Sequence, residues 1–144
     1  MMAELKLEIV TPSKITFSGG AKSITIPGTE GSFQVLYNHA PIMSTFEIGL
    51  IKVKLTADNI LYFATGGGTV EVLNNSVLIL ADSLEAVDII DLERAKRALE
   101  RARKRLLDRL PETDLDRAQA ALKRAVNRIQ IVEKYLRGDI VKTF

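Results

Sequence analysis

No cysteine and no tryptophan occur in the 144 residues, and there is one histidine, His39. The missing thiols exclude disulfides, thiolate zinc sites and cysteine nucleophiles together. A single imidazole is too little for a His-based metal site and a weak basis for a Ser-His-Asp triad. Long apolar runs are absent as well: none approaches the roughly 18 residues that a membrane-spanning helix needs. The opening MMAELKLEIV has no apolar h-region and no small-residue cleavage site, so no signal peptide is expected. What is present is ordinary for a folded chain, with 47% apolar and 26% charged residues, which rules out wholesale disorder. These absences point away from an enzyme.

The net charge of +2 is uninformative, but its distribution is not. Residues 1–87 hold five Lys and no Arg against eight Asp and Glu, a net of −3. Residues 88–144 hold five Lys and ten Arg against ten Asp and Glu, a net of +5. Eight of the nine glycines and three of the four prolines also fall in the first part. The composition therefore turns from Gly/Thr/Val-rich to Ala/Leu/Arg-rich near Asp88, which predicts two units, 1–87 and 88–144.

The first part alternates with a period of two. Leu5, Leu7 and Ile9 bracket Lys6 and Glu8, Ile51, Val53 and Leu55 bracket two lysines, and Val70 and Val72 bracket Glu71. Breakers recur at Thr11-Pro12, Gly19-Gly20, Pro27-Gly28, Asp58-Asn59, Gly66-Gly67-Gly68 and Asn74-Asn75. Asp58-Asn59 and Asn74-Asn75 suit tight hairpins, because Asn and Asp tolerate positive φ. Short, regularly spaced strands predict an all-β sandwich or barrel. The glycine triplet lacks the Lys-Ser/Thr of a phosphate loop, so it reads as a bulge or turn. His39, beside Pro41, reads as a hydrogen-bonded or interface histidine.

The second part has helical periodicity. Leu92, Ala95, Leu99, Ala102 and Leu106 are spaced 3, 4, 3, 4, and Leu115, Ala118, Leu122, Ala125, Ile129, Val132 and Leu136 continue the same way. Pro111, with Thr113 as candidate N-cap, separates two helices of about 20 residues each. So short a connection makes them an antiparallel hairpin, with Leu at a and Ala at d allowing close backbone approach. Two helices make a thin core, so the hairpin should be stable mainly when docked and movable otherwise.

Heptad positions put Asp91 and Arg94 on one flank of the first helix, and Arg124 and Arg128 on the matching flank of the second. A turn centred near residue 112 sets Arg94 level with residue 130 and Arg128 level with residue 96. One reading is a solvated rim laced by pairs such as Glu100–Lys104. The other is a polyphosphate site, since guanidinium forks match phosphate and an acid accepts from ribose or adenine. Three arginines roughly 8 Å apart in water repel by only about 0.5 kcal/mol per pair, which a polyanion reverses. Spacing leaves both open.

The runs Pro27-Gly28-Thr29-Glu30-Gly31 and Val35-Leu36-Tyr37-Asn38-His39-Ala40-Pro41 resemble the signature of the epsilon subunit of F-type rotary ATP synthases. So do Gly66-Gly67-Gly68-Thr69-Val70-Glu71-Val72, Asn75 and Leu78-Ile79-Leu80-Ala81-Asp82, in the family's order and over essentially the whole chain. Tyr37 stands where proline is common, and Gln34 where glycine is common. The resemblance implies an all-β sandwich of two sheets and about ten strands, followed by a C-terminal antiparallel α-helical hairpin.

It further implies a non-catalytic rotor subunit of the central stalk, peripheral on the cytoplasmic face of a bacterial plasma membrane. The partners it implies are the gamma subunit, the c-ring and, when the hairpin extends, the alpha and beta catalytic subunits, with Glu30, Gly31, His39, Ala40 and Pro41 as rotor-interface candidates. Ile90-Asp91-Leu92-Glu93-Arg94-Ala95 matches the motif of members that bind ATP on the folded hairpin. The resemblance therefore assigns Glu85, Ile90, Asp91, Arg94, Ala95, Arg124 and Arg128 to regulatory ATP, with or without Mg²⁺. The rival is a basic hairpin that binds nucleic acid, or a general protein-interaction module. The nucleic-acid version requires steep salt dependence, and most aromatics available for stacking lie in the β part.

Overall fold

The computed structural model describes residues 3–111 and 114–136, the last of these by its backbone only. The chain divides into two compact units, Met1–Ala86 and Val87–Phe144. The first is built from β1 (Leu5–Thr11), β2 (Lys14–Ala21), β3 (Ser23–Gly28), β4 (Gly31–Leu36), β5 (Ile42–Lys54), β6 (Ile60–Leu73), β7 (Ser76–Ala81) and β8 (Leu84–Ala86). Their order is β2-β1-β7-β6-β5-β3-β4, with β8 beside residues 63–65 of β6. Among the described residues only the β1–β7 pair is parallel.

The two long strands make the sandwich. β5 and β6 pair from Ile42 with Val72 to Lys54 with Ile60, but Glu47 and Gly67 drop out of the ladder. Inward parity reverses there: Phe46 is buried on one side of the break in β5 and Ile51 and Val53 on the other, as are Phe63 and then Val70 and Val72 in β6. The pairing register is the same on both sides of the break, so both strands turn their faces over together at Glu47 and Gly67 and neither slips against the other. One continuous hydrogen-bonded sheet thus folds at this break into two layers, whose inner faces bury Leu5, Leu7, Ile9, Ile24, Ile26, Val35 and Ile79. The glycine triplet is that corner, with φ of +103° at Gly67 and +156° at Gly68. A Cβ on Gly68 would sit 2.0 Å from the Leu80 carbonyl oxygen.

Among the described residues eight strands stand where about ten were expected, and two of the glycine breakers do not mark strand ends. Gly66-Gly67-Gly68 lies inside β6, so two expected strands are one there, whereas Gly19-Gly20 lies inside β2 and the break comes just after it, at Lys22. Asn74 and Asn75, at φ 50° and 63°, form the expected two-residue hairpin between Leu73 and Ser76. Asp58-Asn59 does not: residues 55–59 connect β5 to β6. There the Asn59 N–H donates to Thr56 Oγ1 (3.1 Å), so a side-chain turn replaces the positive-φ hairpin.

The second unit opens with a 3₁₀ turn (Val87–Ile89), followed by α1 (Leu92–Asp108), α2 (Leu115–Ile131) and a π-helical turn (Val132–Leu136). Each α-helix has 17 residues and spans about 25 Å. Asp91 and Asp114 are the N-caps, each accepting at 3.1 Å from the backbone N–H three residues on. The cap of α2 is therefore Asp114, one residue beyond the expected Thr113, which lies outside the described residues. A carboxylate at that place also meets the helix dipole favourably, which a threonine hydroxyl does not. α1 ends on Arg109 in the left-handed region (φ 45°), just ahead of Pro111. At the seam Ala95, Ala102, Ala118 and Ala125 are buried, whereas Leu92, Leu99, Leu106, Leu122 and Ile129 are half-buried and Leu115 is exposed. Close approach centres on the alanines and pushes the larger a-position side chains to its margins.

Candidate functional site

The 3₁₀ turn at Val87–Ile89 packs on the π turn at Val132–Leu136, so the helices are antiparallel and residues equidistant from about 112 are level. Asp91, Arg94 and Ala95 in the first turn of α1 therefore share one end of the hairpin with Arg124 and Arg128 in the last two turns of α2. Arg94 is exposed, while Arg124 and Arg128 are half-buried. Asp91 Oδ1 is occupied in capping Arg94 N–H, which leaves the carboxylate fixed at the helix entrance. Ile90 and Ala95 are buried and act in packing. Glu85 lies in β8, in the other unit. On the outer face of α1, Glu100 pairs with Arg103 (3.2 Å) in place of the expected Lys104. Among the described residues, no group of three or more His, Asp or Glu is disposed to hold a metal.

The rotor-interface candidates fall into two separate places. Glu30 is in the two-residue turn between β3 and β4, and Gly31 (φ +128°) begins β4. Thr29 Oγ1 lies 2.8 Å from Thr45 Oγ1 and ties that turn to β5. His39, Ala40 and Pro41 follow the far end of β4. Six residues of strand, roughly 3.3 Å each, separate the two groups, so they are not one patch. In the second, the His39 N–H donates to Leu36 O (3.0 Å), and His39 Nδ1 donates to Ala40 O (2.7 Å). The ring is thus hydrogen-bonded within its own loop.

Sequence reasoning missed a third surface, on the layer formed by β2, β1, β7 and the adjoining halves of β6 and β5. Its outward residues lie in register across the strands: Glu8, Leu78, Glu71 and Met43 form one row, and Ile15, Val10, Leu80, Thr69 and Thr45 the next. Met43 is 75% exposed, Ile15 62% and Leu80 47%, so large apolar side chains stand open on a face whose reverse is fully packed. A shallow groove of about 460 Å³ runs past Met43, Thr69, Glu71, Leu78 and Leu80. The available signal was the run Ser76–Ala81, SVLILA, which is apolar on both parities where a layer with one inner face needs only one.

Both units match family models. Residues 4–87 match the beta-sandwich domain of the ATP synthase delta/epsilon chain, and residues 88–133 match its long alpha-helix domain. The chain belongs to the ATP synthase delta/epsilon family. It is 43% identical to the ATP synthase epsilon chain of Salinibacter ruber, over 74% of this chain and 76% of that one. It is 39% identical to the epsilon chain of Desulforamulus reducens, over 89% and 96% respectively. The fold also matches a chain in the cryo-EM structure of the Euglena gracilis mitochondrial ATP synthase (OSCP/F1/c-ring), with a TM-score of 0.74 at 22% identity, covering 94% of this chain and 83% of that one. As a delta/epsilon-family chain it is a regulatory or stalk subunit and not a catalytic one. Among the described residues, no helix is long and apolar enough to cross a membrane.

Proposed function

We propose that this chain is a central-stalk subunit whose β-sandwich docks on the gamma subunit and the c-ring, peripheral on the cytoplasmic face of a bacterial plasma membrane. The observation that carries the docking is the open apolar face of Met43, Leu78, Leu80, Val10 and Ile15. Burying several such side chains against a partner stabilises by about 1.5–3 kcal/mol each, enough for a permanent interface. The double variant Met43→Asp plus Leu80→Asp should bind purified gamma at least about a hundredfold more weakly. Its melting temperature should stay close to that of the unaltered chain, since both side chains face outward. Undiminished capture of gamma would remove the reading.

The hairpin is the regulatory element of this proposal. Arg94, Arg124 and Arg128 supply guanidinium groups at one end of it, and Asp91 a carboxylate fixed by its capping bond, a set suited to ATP with or without Mg²⁺. ATP would hold the hairpin closed, and its loss would let the basic helices extend toward the alpha and beta subunits and restrain hydrolysis. Free ATP at ten times its Kd adds about 1.4 kcal/mol to the closed form, roughly a tenfold population shift. Arg124→Ala with Arg128→Ala should abolish calorimetric ATP binding at concentrations that saturate the unaltered chain. Equal binding would exclude this nucleotide site and leave the docking role standing.

A further inference from the structure

Two asparagines far apart in sequence interlock at the end of the sandwich that carries His39. The Asn38 N–H donates to Asn75 Oδ1 at 2.6 Å, and Asn75 Nδ2 donates back to Asn38 Oδ1 at 3.2 Å. Both residues hold positive φ, 66° and 63°, a conformation that Asn tolerates better than most side chains. Asn75 belongs to the rigid β6–β7 hairpin, whereas Asn38 lies in the 37–41 loop between β4 and β5. Within that loop the other hydrogen bonds are local, from the His39 N–H to Leu36 and from the His39 ring to Ala40. Tyr37, which precedes Asn38, is 46% exposed, and Leu73, the last residue of β6 before the Asn74-Asn75 turn, is 49% exposed.

We infer that Asn38 and Asn75 are positioning residues for docking: their reciprocal clasp fixes the β4–β5 loop to the rim of the apolar outer face, so that loop and face meet gamma as one preformed surface. This rests on the docking proposed above. Without the clasp the loop has to be ordered at the moment of binding, which weakens affinity while removing no contact from the face itself.

Binding of the full-length chain to purified gamma distinguishes the possibilities. Asn75→Gly removes the amide yet keeps the positive φ available, and should weaken binding about tenfold. Asn75→Asp keeps an acceptor for the Asn38 N–H, and should stay within about threefold of the unaltered chain. Hydrogen exchange at residues 37–41 should rise in Asn75→Gly, while the melting temperature of the sandwich shifts by no more than a few degrees. Binding by Asn75→Gly as tight as the original overturns the inference. So does Asn75→Asp failing as badly as Asn75→Gly, because the loss would then not follow the bond to Asn38. If gamma is not captured by the unaltered chain, or is captured undiminished by the Met43/Leu80 variant, the docking reading fails instead.

Discussion

Gly68→Ala should destabilise the sandwich by at least about 3 kcal/mol, the largest effect expected of a methyl group added at any of the described glycines. The added Cβ would meet the Leu80 carbonyl oxygen at 2.0 Å and Ala81 Cα at 3.0 Å, both main-chain atoms that cannot rotate away. It would also oppose a φ of +156°. For a domain of this size the melting temperature should fall by roughly 12–20 °C. Gly31→Ala is the control: its φ is also positive at +128°, but nothing lies within 4 Å of the added atom. It should therefore lose only the cost of the positive φ, about 1–2 kcal/mol. Similar melting of the two variants would mean that contact at the corner is not what excludes side chains there.

Ala125→Leu should part the two helices. Ala125 has no exposed surface, and the seam relies on four alanines for its close approach. Three extra heavy atoms cannot be placed without moving a backbone, at a cost of about 1–3 kcal/mol. The middle of that range, about 2 kcal/mol, exceeds the roughly 1.4 kcal/mol that ATP at ten times its Kd contributes, so the nucleotide should no longer hold the closed form. The expected readouts are faster hydrogen exchange in α1 and α2, weaker ATP binding, and a synthase whose ATP hydrolysis stays restrained at high ATP. Leu107→Ala, at a side chain 77% exposed, should leave all three unchanged. Hydrolysis still relieved by ATP in Ala125→Leu would sever the link between hairpin closure and regulation.

Much of this architecture was legible from periodicity. The alternation in β1 and in the second half of β6, and the 3, 4 spacing of both helices, follow directly from which faces must be buried. Glycine was harder to read, because it marks a turn only when the chain actually reverses. At Gly19-Gly20 an edge strand tolerates it, and at Gly66–Gly68 it lets a strand change layers without ending. The two Asp caps were half visible: Asp91 directly precedes the first periodic residue, Leu92, whereas Thr113 and Asp114 are adjacent capping types that spacing does not separate. The outer face was missed because the run through Leu78-Ile79-Leu80-Ala81 was weighed only as part of the family's signature and not for its apolar residues on both parities. The clasp was beyond sequence reasoning, since nothing in the chain order joins residue 38 to residue 75.

Because β5 and β6 pass unbroken from one layer to the other, the layers are joined by main chain as well as by interlocking side chains. A twisting load applied to the outer face is therefore carried into the other layer by backbone at the corner as well as by the side chains packed between the layers. The sandwich should behave as a stiff coupling, passing torque with little elastic loss and leaving compliance to the hairpin.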